Sequence, residues 1–292
     1  MSESFGALVG VDGSLASIAA VRWAARWASA RNKDLTIVFA DPPVVAESSL
    51  LYVTGPAVED LLLRQREKAL EVLDQAILVA AETAPGLRVH TKALGAAPVP
   101  TLLDLSGSAE ILVVGRVGRS ALQNVLIGSV SSGLIRTARC PVAAIHDEPP
   151  LVAADAPVVV GIDASPASEL ATAIAFDEAS RRGVDLVALH ASCDTDVFGL
   201  HEYEWHFSDA KAHEALAERL AGWVERYPDV TVRREVVFDK PARHLVELGE
   251  NAQLIVVGSR GRNAVKELLL GSVSSSVVQA SRTPVIVARP RP

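Results

Sequence analysis

The feature that most limits what this chain can fold into is an internal repeat. Residues 9–40, VGVDGSLASIAAVRWAARWASARNKDLTIVFA, return at 160–191 as VGIDASPASELATAIAFDEASRRGVDLVALHA, at a constant offset of 151. Asp12 pairs with Asp163, Ser14 with Ser165, and Asp34-Leu35 with Asp185-Leu186. A second block beginning at Ile111, ILVVGRVGRSALQNVLIGSVSSGLIRTARCPVAAI, matches LIVVGSRGRNAVKELLLGSVSSSVVQASRTPVIVA from Leu254 at an offset of 143, so the first copy carries eight extra residues between its blocks. Clustered prolines and small residues in DEPPLVAADAP, Asp147–Pro157, block helix continuation and separate the copies. The expected organisation is a domain over 1–147, a linker over 148–157 and a second domain over 158–292. At 292 residues the chain fits two domains of about 150.

Each copy alternates short apolar runs with stretches of helical periodicity, the pattern of βαβ units around a parallel sheet. In copy one the strand candidates are ALVGV, LTIVFA, a weaker LRVHTKAL, ILVVG and PVAAI; in copy two they are VVVGI, LVALHA, VTVRREVV, LIVVG and PVIVA. Their near-continuous Val, Ile and Leu content suits strands covered on both faces. Apolar residues at three- and four-residue steps predict helices over 17–30, 58–81, 99–105 and 130–138. The fold class is therefore α/β, two tandem doubly wound domains with five strands and about four helices each. Periodicity does not give the strand order.

Composition narrows the partners. Hydrophobic residues are 49% of the chain and charged ones 22%, which excludes a disordered chain. The net charge of −7 argues against a binder of DNA or RNA backbones, so no nucleic-acid partner is expected. No apolar run approaches the roughly eighteen residues needed to span a bilayer. The start, MSESFGALVG, lacks the basic and apolar segments of a signal peptide, and the two cysteines, Cys140 and Cys193, lack C-x-x-C spacing. A reduced, cytoplasmic setting is expected.

The sharpest chemical signal follows the fourth strand of each copy. Gly115-x-x-Gly118, nine residues and Gly128-Ser129 are matched by Gly258-x-x-Gly261, nine residues and Gly271-Ser272. Glycine at a strand end is expected to let backbone approach a ligand, and the segments Gly128-Ser129-Val130-Ser131 and Gly271-Ser272-Val273-Ser274 open helices whose free N–H groups favour an anion such as phosphate. At the end of strand one, Gly10 and Gly161 precede Asp12 and Asp163. These carboxylates can meet the glycine loops if strands one and four are neighbours, since open parallel sheets bind ligands at such switch points. An aspartate there can accept from ribose hydroxyls or hold magnesium, or it can simply cap the next helix. Arg116, Arg119, Arg260 and Arg262 flank the glycines and can pair with phosphate oxygens. Lys266 has Gln123 opposite it in the aligned register of copy one, Lys240 falls where the two copies do not align cleanly, and both are weak candidates.

Other readings fail on the residues. No G-x-x-x-x-G-K-[ST], G-x-G-x-x-G after a strand, or G-x-S-x-G is present. His201, His206 and His213 lie in HEYEWHFSDAKAH, read as a loop, and the five-residue step between the first two is not the i, i+4 spacing of zinc helices.

The doubled G-x-x-G-(nine)-G-S motif together with Asp12 and Asp163 resembles the universal stress protein family, in its tandem form and in its nucleotide-binding branch. The resemblance covers nearly the whole chain. It implies strand order 3-2-1-4-5 in each domain and pairing of the domains through their last strands. It also implies ATP, with Mg2+, between strands one and four. Adenine would sit near Ala40 and Ala191, the ribose at Asp12 and Asp163, the nucleoside against Val114 and Val257, and the phosphates on the glycine-serine segments through Val130 and Val273. Two sites per chain, a homodimer and a regulatory protein partner are expected. Copy two ends strand two in His190-Ala191 where copy one has Phe39-Ala40, so the two pockets need not be equal.

The function expected is a nucleotide-dependent regulator, because two phosphate sites occur without an evident catalytic base or nucleophile. Slow ATP hydrolysis or autophosphorylation is compatible with it. The alternatives are an adenine-nucleotide hydrolase or transferase, which lacks its Ser-Gly-Gly-x-Asp-Ser loop here and could use only His190 and the 192–211 stretch, and a nucleotide-independent, chaperone-like interaction module.

Overall fold

The computed structural model describes residues 5–42, 56–118, 127–191, 202–261 and 270–290. The chain divides into two compact units, one reaching Glu148 and the other spanning Pro149–Pro290. In the first, the elements in order are β1 (Phe5–Val11), α1 (Leu15–Ser29), β2 (Leu35–Ala40), α2 (Pro56–Thr83), β3 (Val89–Leu94), α3 (Pro98–Ser106), β4 (Ala109–Gly115), α4 (Ser129–Thr137) and β5 (Val142–Ile145). The second repeats them as β6 (Val158–Ile162), α5 (Pro166–Arg182), β7 (Leu186–Ala191), α6 (Glu202–Arg226), β8 (Val232–Val237), α7 (Pro241–Gly249), β9 (Leu254–Gly258), α8 (Ser272–Ala280) and β10 (Val285–Ala288).

Within the first unit the strands lie β3-β2-β1-β4-β5, all parallel. The second runs β8-β7-β6-β9-β10, again parallel. Both are the order 3-2-1-4-5. The continuous apolar runs belong to central strands sealed on both faces: Leu8, Val9, Leu112 and Val113 are fully buried. Strands β3 and β8 are mostly exposed or half-buried, and LRVHTKAL, which holds β3, carries the weaker signal for that reason.

Helices cover both faces. α1 packs on β1 and β4 and carries α2, while α3 and α4 pack on each other and on the opposite face. The buried side of α1 is built from Ala20, Val21, Ala24, Ala25 and Ala28, small side chains that bring the helix axis close to the sheet. In the second unit α5 does the same with Ala171, Ala175 and Ala179, and its buried Phe176 stacks on Trp223 of α6 at 5.9 Å between ring centroids. The stretch read as a loop to residue 211 is helical from Glu202 onward.

Each first helix is started by a serine. Ser14 and Ser165 accept from the amides of Ser17 and Ser168, so the serines are the N-caps and the aspartates two residues earlier are not. The residue between them must turn through positive φ: Gly13 sits at +80° and Ala164 at +65°. For an L-residue that conformation costs roughly 1–2 kcal/mol, a cost glycine does not carry. We therefore expect Gly13→Ala to destabilise the first domain by about 1 kcal/mol and Ala164→Gly to stabilise the second by up to about 1 kcal/mol, net of the entropy glycine adds to the unfolded chain, as read from chemical denaturation of each variant.

Candidate functional site

In each domain the carboxyl ends of the first and fourth strands open into a cleft, about 330 Å³ in the first and about 570 Å³ in the second. Both volumes fall in the range of small-molecule sites. The register sets the walls. Gly10 lies beside Val38 of β2 and Val114 of β4, so these three share the sheet face covered by α3, and Leu102 of α3 stands directly over Gly10. Gly161, Leu189, Val257 and Leu245 repeat that arrangement in the second domain. Ala40 and Ala191 close the far end of each cleft. This half of the site is an apolar slot between a sheet face and a helix.

The polar half is assembled by two turns. The Asp12 carboxylate takes the Ser14 amide on Oδ1 at 3.0 Å, which fixes the turn leaving β1, and its Oδ2 lies against Gly118. After β4 the chain departs and returns: the Arg116 amide donates to the Ile145 carbonyl at 2.7 Å, and the Gly128 amide donates to the Arg116 carbonyl at 2.8 Å. That second bond closes a neck, placing the start of α4 beside Gly118 and hence beside Asp12. The Ser132 amide bonds the Gly128 carbonyl, and the amides of Ser129, Val130 and Ser131 precede the first intrahelical bond. Ser129, Val130 and Ser131 line the cleft. Domain two repeats each contact: the Ser165 amide on Asp163 Oδ1 at 3.0 Å, the Gly271 amide on the Ser259 carbonyl at 2.8 Å, and Ser272, Val273 and Ser274 at the cleft. Each cleft thus joins an apolar slot, one carboxylate and a helix N-terminus that favours an anion.

Several residues play a part other than the one their spacing suggested. Gly115 lines the cleft, but its missing Cβ makes room for protein: a Cβ there would lie 2.6 Å from the carbonyl carbon of Ala16 and 2.8 Å from the amide of Ser17. Gly258 stands in the same relation to Ala167 and Ser168, at 2.8 and 2.9 Å. A Cβ on Gly118 would meet Asp12 Oδ2 at 2.7 Å, and one on Gly261 would meet Asp163 Oδ2 at 2.6 Å, so the second glycine of each motif yields to the carboxylate and not to a ligand. At Gly128 and Gly271 an added Cβ would make only ordinary contacts, with nothing of the protein closer than 3.4 and 3.5 Å. Ser131 and Ser274 turn their hydroxyls inward and donate to the carbonyls of Gly115 and Gly258, bracing the helix start against the strand end. Ser129 and Ser272 remain exposed at the mouth.

The arginines divide. Arg260 is exposed and lines the second cleft, whereas Arg116 is buried and does not line the first. The reason is register: Arg116 matches buried Ser259, and Arg260 matches Val117. Arg119, Arg262 and Lys266 lie outside the described residues, as do Cys193 and His201. Lys240 precedes α7 and does not line the cleft. His190 points to the sheet face opposite Leu189 and Ala191, where its Nδ1 is 2.8 Å from the Ile162 carbonyl, so it is no part of the second cleft. Pro98 and Leu102, with Pro241 and Leu245, were not singled out from the sequence, although they recur at the same offset of 143.

A tandem pair of parallel α/β domains, each with such a cleft at its switch point, defines a class of duplicated α/β proteins. The comparisons give the family. The model of the universal stress protein family matches residues 7–146 and again 156–289, and the chain belongs to that family. It is 50% identical to a universal stress protein of Mycobacterium tuberculosis over 99% of this chain and 97% of the relative, and 48% identical to one of Mycobacterium bovis over 98% of both. Among solved structures, a universal stress protein of Archaeoglobus fulgidus DSM 4304 has the same fold, with a TM-score of 0.70 and 23% identity over 98% of each chain.

The glycine assignments separate by experiment. Gly115→Ala and Gly258→Ala force helix backbone off the sheet and should each cost about 1–3 kcal/mol, the range for overpacking. Gly128→Ala, at an ordinary φ of −68°, should leave the thermal midpoint unchanged. Circular dichroism melts of the three variants read the difference.

Proposed function

We propose that each domain binds ATP and that the protein is a cytoplasmic, nucleotide-dependent regulator in stress or growth control. The observation that carries this reading is the joining, twice in one chain, of an apolar slot to a carboxylate and a free helix N-terminus. An adenine fits the slot beside Val38 and Ala40 in the first domain and beside Leu189 and Ala191 in the second. Asp12 and Asp163 stand where ribose hydroxyls can donate to them. The phosphates then lie on the amides of Ser129, Val130 and Ser131 or of Ser272, Val273 and Ser274, with Arg260 adding a positive charge at the second site.

Magnesium suits this donor set. Among the described residues no group of three or more His, Cys, Asp and Glu side chains comes together, so a protein cage for a metal is not the model. Magnesium is commonly held by one or two carboxylates together with substrate phosphates, and Asp12 or Asp163 supplies one carboxylate. When bound, the ion would neutralise phosphate charge. The reading extends to a homodimer and to a protein partner that senses the nucleotide state. No helix among the described residues is long and apolar enough to cross a membrane.

Calorimetric titration of ATP with magnesium into nucleotide-stripped protein should give two sites per chain. Asp12→Ala should remove about half of that stoichiometry and leave the second site. Gly128→Ala combined with Gly271→Ala should weaken binding at least about tenfold while the protein melts normally, because the new methyls occupy ligand space. Absence of binding heat in the wild type, with no nucleotide released on denaturation, overturns the proposal.

A further inference from the structure

The two copies finish one face of their sheets differently. In the first domain Lys92 of β3 pairs in register with Val38, and Val38 with Gly10, so the Lys92 side chain belongs to the face that α3 covers. There its ammonium stands 4.9 Å from the centre of the Phe5 ring, and Phe5 is buried. The first domain thus covers this part of its sheet with an aromatic ring and a cation of its own, a pair that the negative face of the ring holds together.

The second domain has neither. At the offset of 151 the place of Phe5 is taken by Ala156, and the register that sets Lys92 beside Val38 sets Glu235 beside Leu189. A groove of about 400 Å³ is left on that face. Its floor is Val159, Val187 and Leu189, all buried, and it runs between β8 and the side of α7 that carries His244 and Leu248. The volume is that of a small-molecule site. Two charged side chains at its rim are already engaged, Arg233 with Asp185 at 3.4 Å and Glu247 with Arg243 at 2.7 Å. Glu235 also lines the groove and has no ion pair among the described residues.

We propose that this groove binds a small primary amine carrying an aromatic ring, with the ring on Val159, Val187 and Leu189 and the ammonium at Glu235. Such a molecule brings the two parts that the first domain supplies from its own chain. The exchange of lysine for glutamate reverses the charge at the rim, so a cation is favoured in the second domain and an anion is repelled. Among the described residues, Leu189 alone lines both this groove and the nucleotide cleft, so the site does not rest on ATP binding. An amine of about nine non-hydrogen atoms in an open groove should bind in the millimolar range.

Methyl NMR of the full chain, with valine and leucine methyls labelled, tests this with phenethylammonium as the probe and 2-phenylethanol and phenylacetate as its neutral and anionic counterparts. The methyls of Val159 and Val187, which line the groove and not the cleft, should shift with phenethylammonium, less with the alcohol and not with phenylacetate. Glu235→Lys, at an exposed position, should weaken the amine at least about tenfold and leave the alcohol unchanged. Ala156→Phe combined with Glu235→Lys rebuilds the pair of the first domain, and should abolish binding of all three compounds while raising the thermal midpoint. No shift at Val159 and Val187 overturns the site. Equal binding of alcohol and amine, or a Glu235→Lys variant that binds the amine as the wild type does, overturns the amine and leaves only an apolar patch. A folded double variant that still binds the amine also overturns the proposal; if the double variant does not fold, Glu235→Lys and the alcohol comparison decide.

Discussion

The first turn of α1 rests directly on the end of β4, backbone against backbone, and everything at the cleft is placed by that contact. Gly115 permits it by having no side chain at the point where Ala16 and Ser17 arrive, and Gly258 permits the same approach of Ala167 and Ser168. Once the helix is seated, its N-cap serine and the aspartate two residues earlier are delivered to the mouth of the fourth strand. The carboxylate then needs its own clearance, which Gly118 and Gly261 provide. The inward hydroxyls of Ser131 and Ser274 tie the other helix to the same strand ends. Two helix N-termini are thus anchored to one strand terminus, and the cleft is the space left between them.

Duplication lets the fold act as its own control. Features kept in both copies include the serine cap, the aspartate turn, the pinched neck and the inward serine. Features that differ have separable causes. Ala164 adopts the left-handed conformation that Gly13 adopts freely, because the aspartate and the helix behind it dictate the turn. The second helix of each domain keeps its buried face and diverges on its outer one, leucine in α2 and charge in α6.

Much of this was legible before any coordinates. The offsets of 151 and 143 indicated a tandem repeat, and the apolar runs located the strands, because sheets covered on both faces leave little freedom in sequence. Ala40, Val114, Gly118, Ser129 and their partners, read from the motif, line the two clefts. What spacing could not supply was direction. Gly115 and Gly128 look alike in a motif, yet one yields to a helix backbone and the other tolerates a Cβ at ordinary contact distance. Arg116 and Arg260 both flank glycines but sit one register position apart, and only the latter reaches the site. Strand alternation alone could have removed His190 from the candidates, since its neighbours Leu189 and Ala191 take the cleft face. The helical start at Glu202 was hidden by a polar, histidine-rich sequence with weak periodicity.

The bond from the Gly128 amide to the Arg116 carbonyl, with its twin from Gly271 to Ser259, has a consequence for how such a protein can change over generations. It ties the start of the helix to the end of the strand through main-chain groups alone, so side chains do not set that distance. Sequence changes between the two bonded residues can accumulate without moving the helix start that this bond holds. The main chain at the cleft is thus kept in place while the sequence between its two anchors is rewritten.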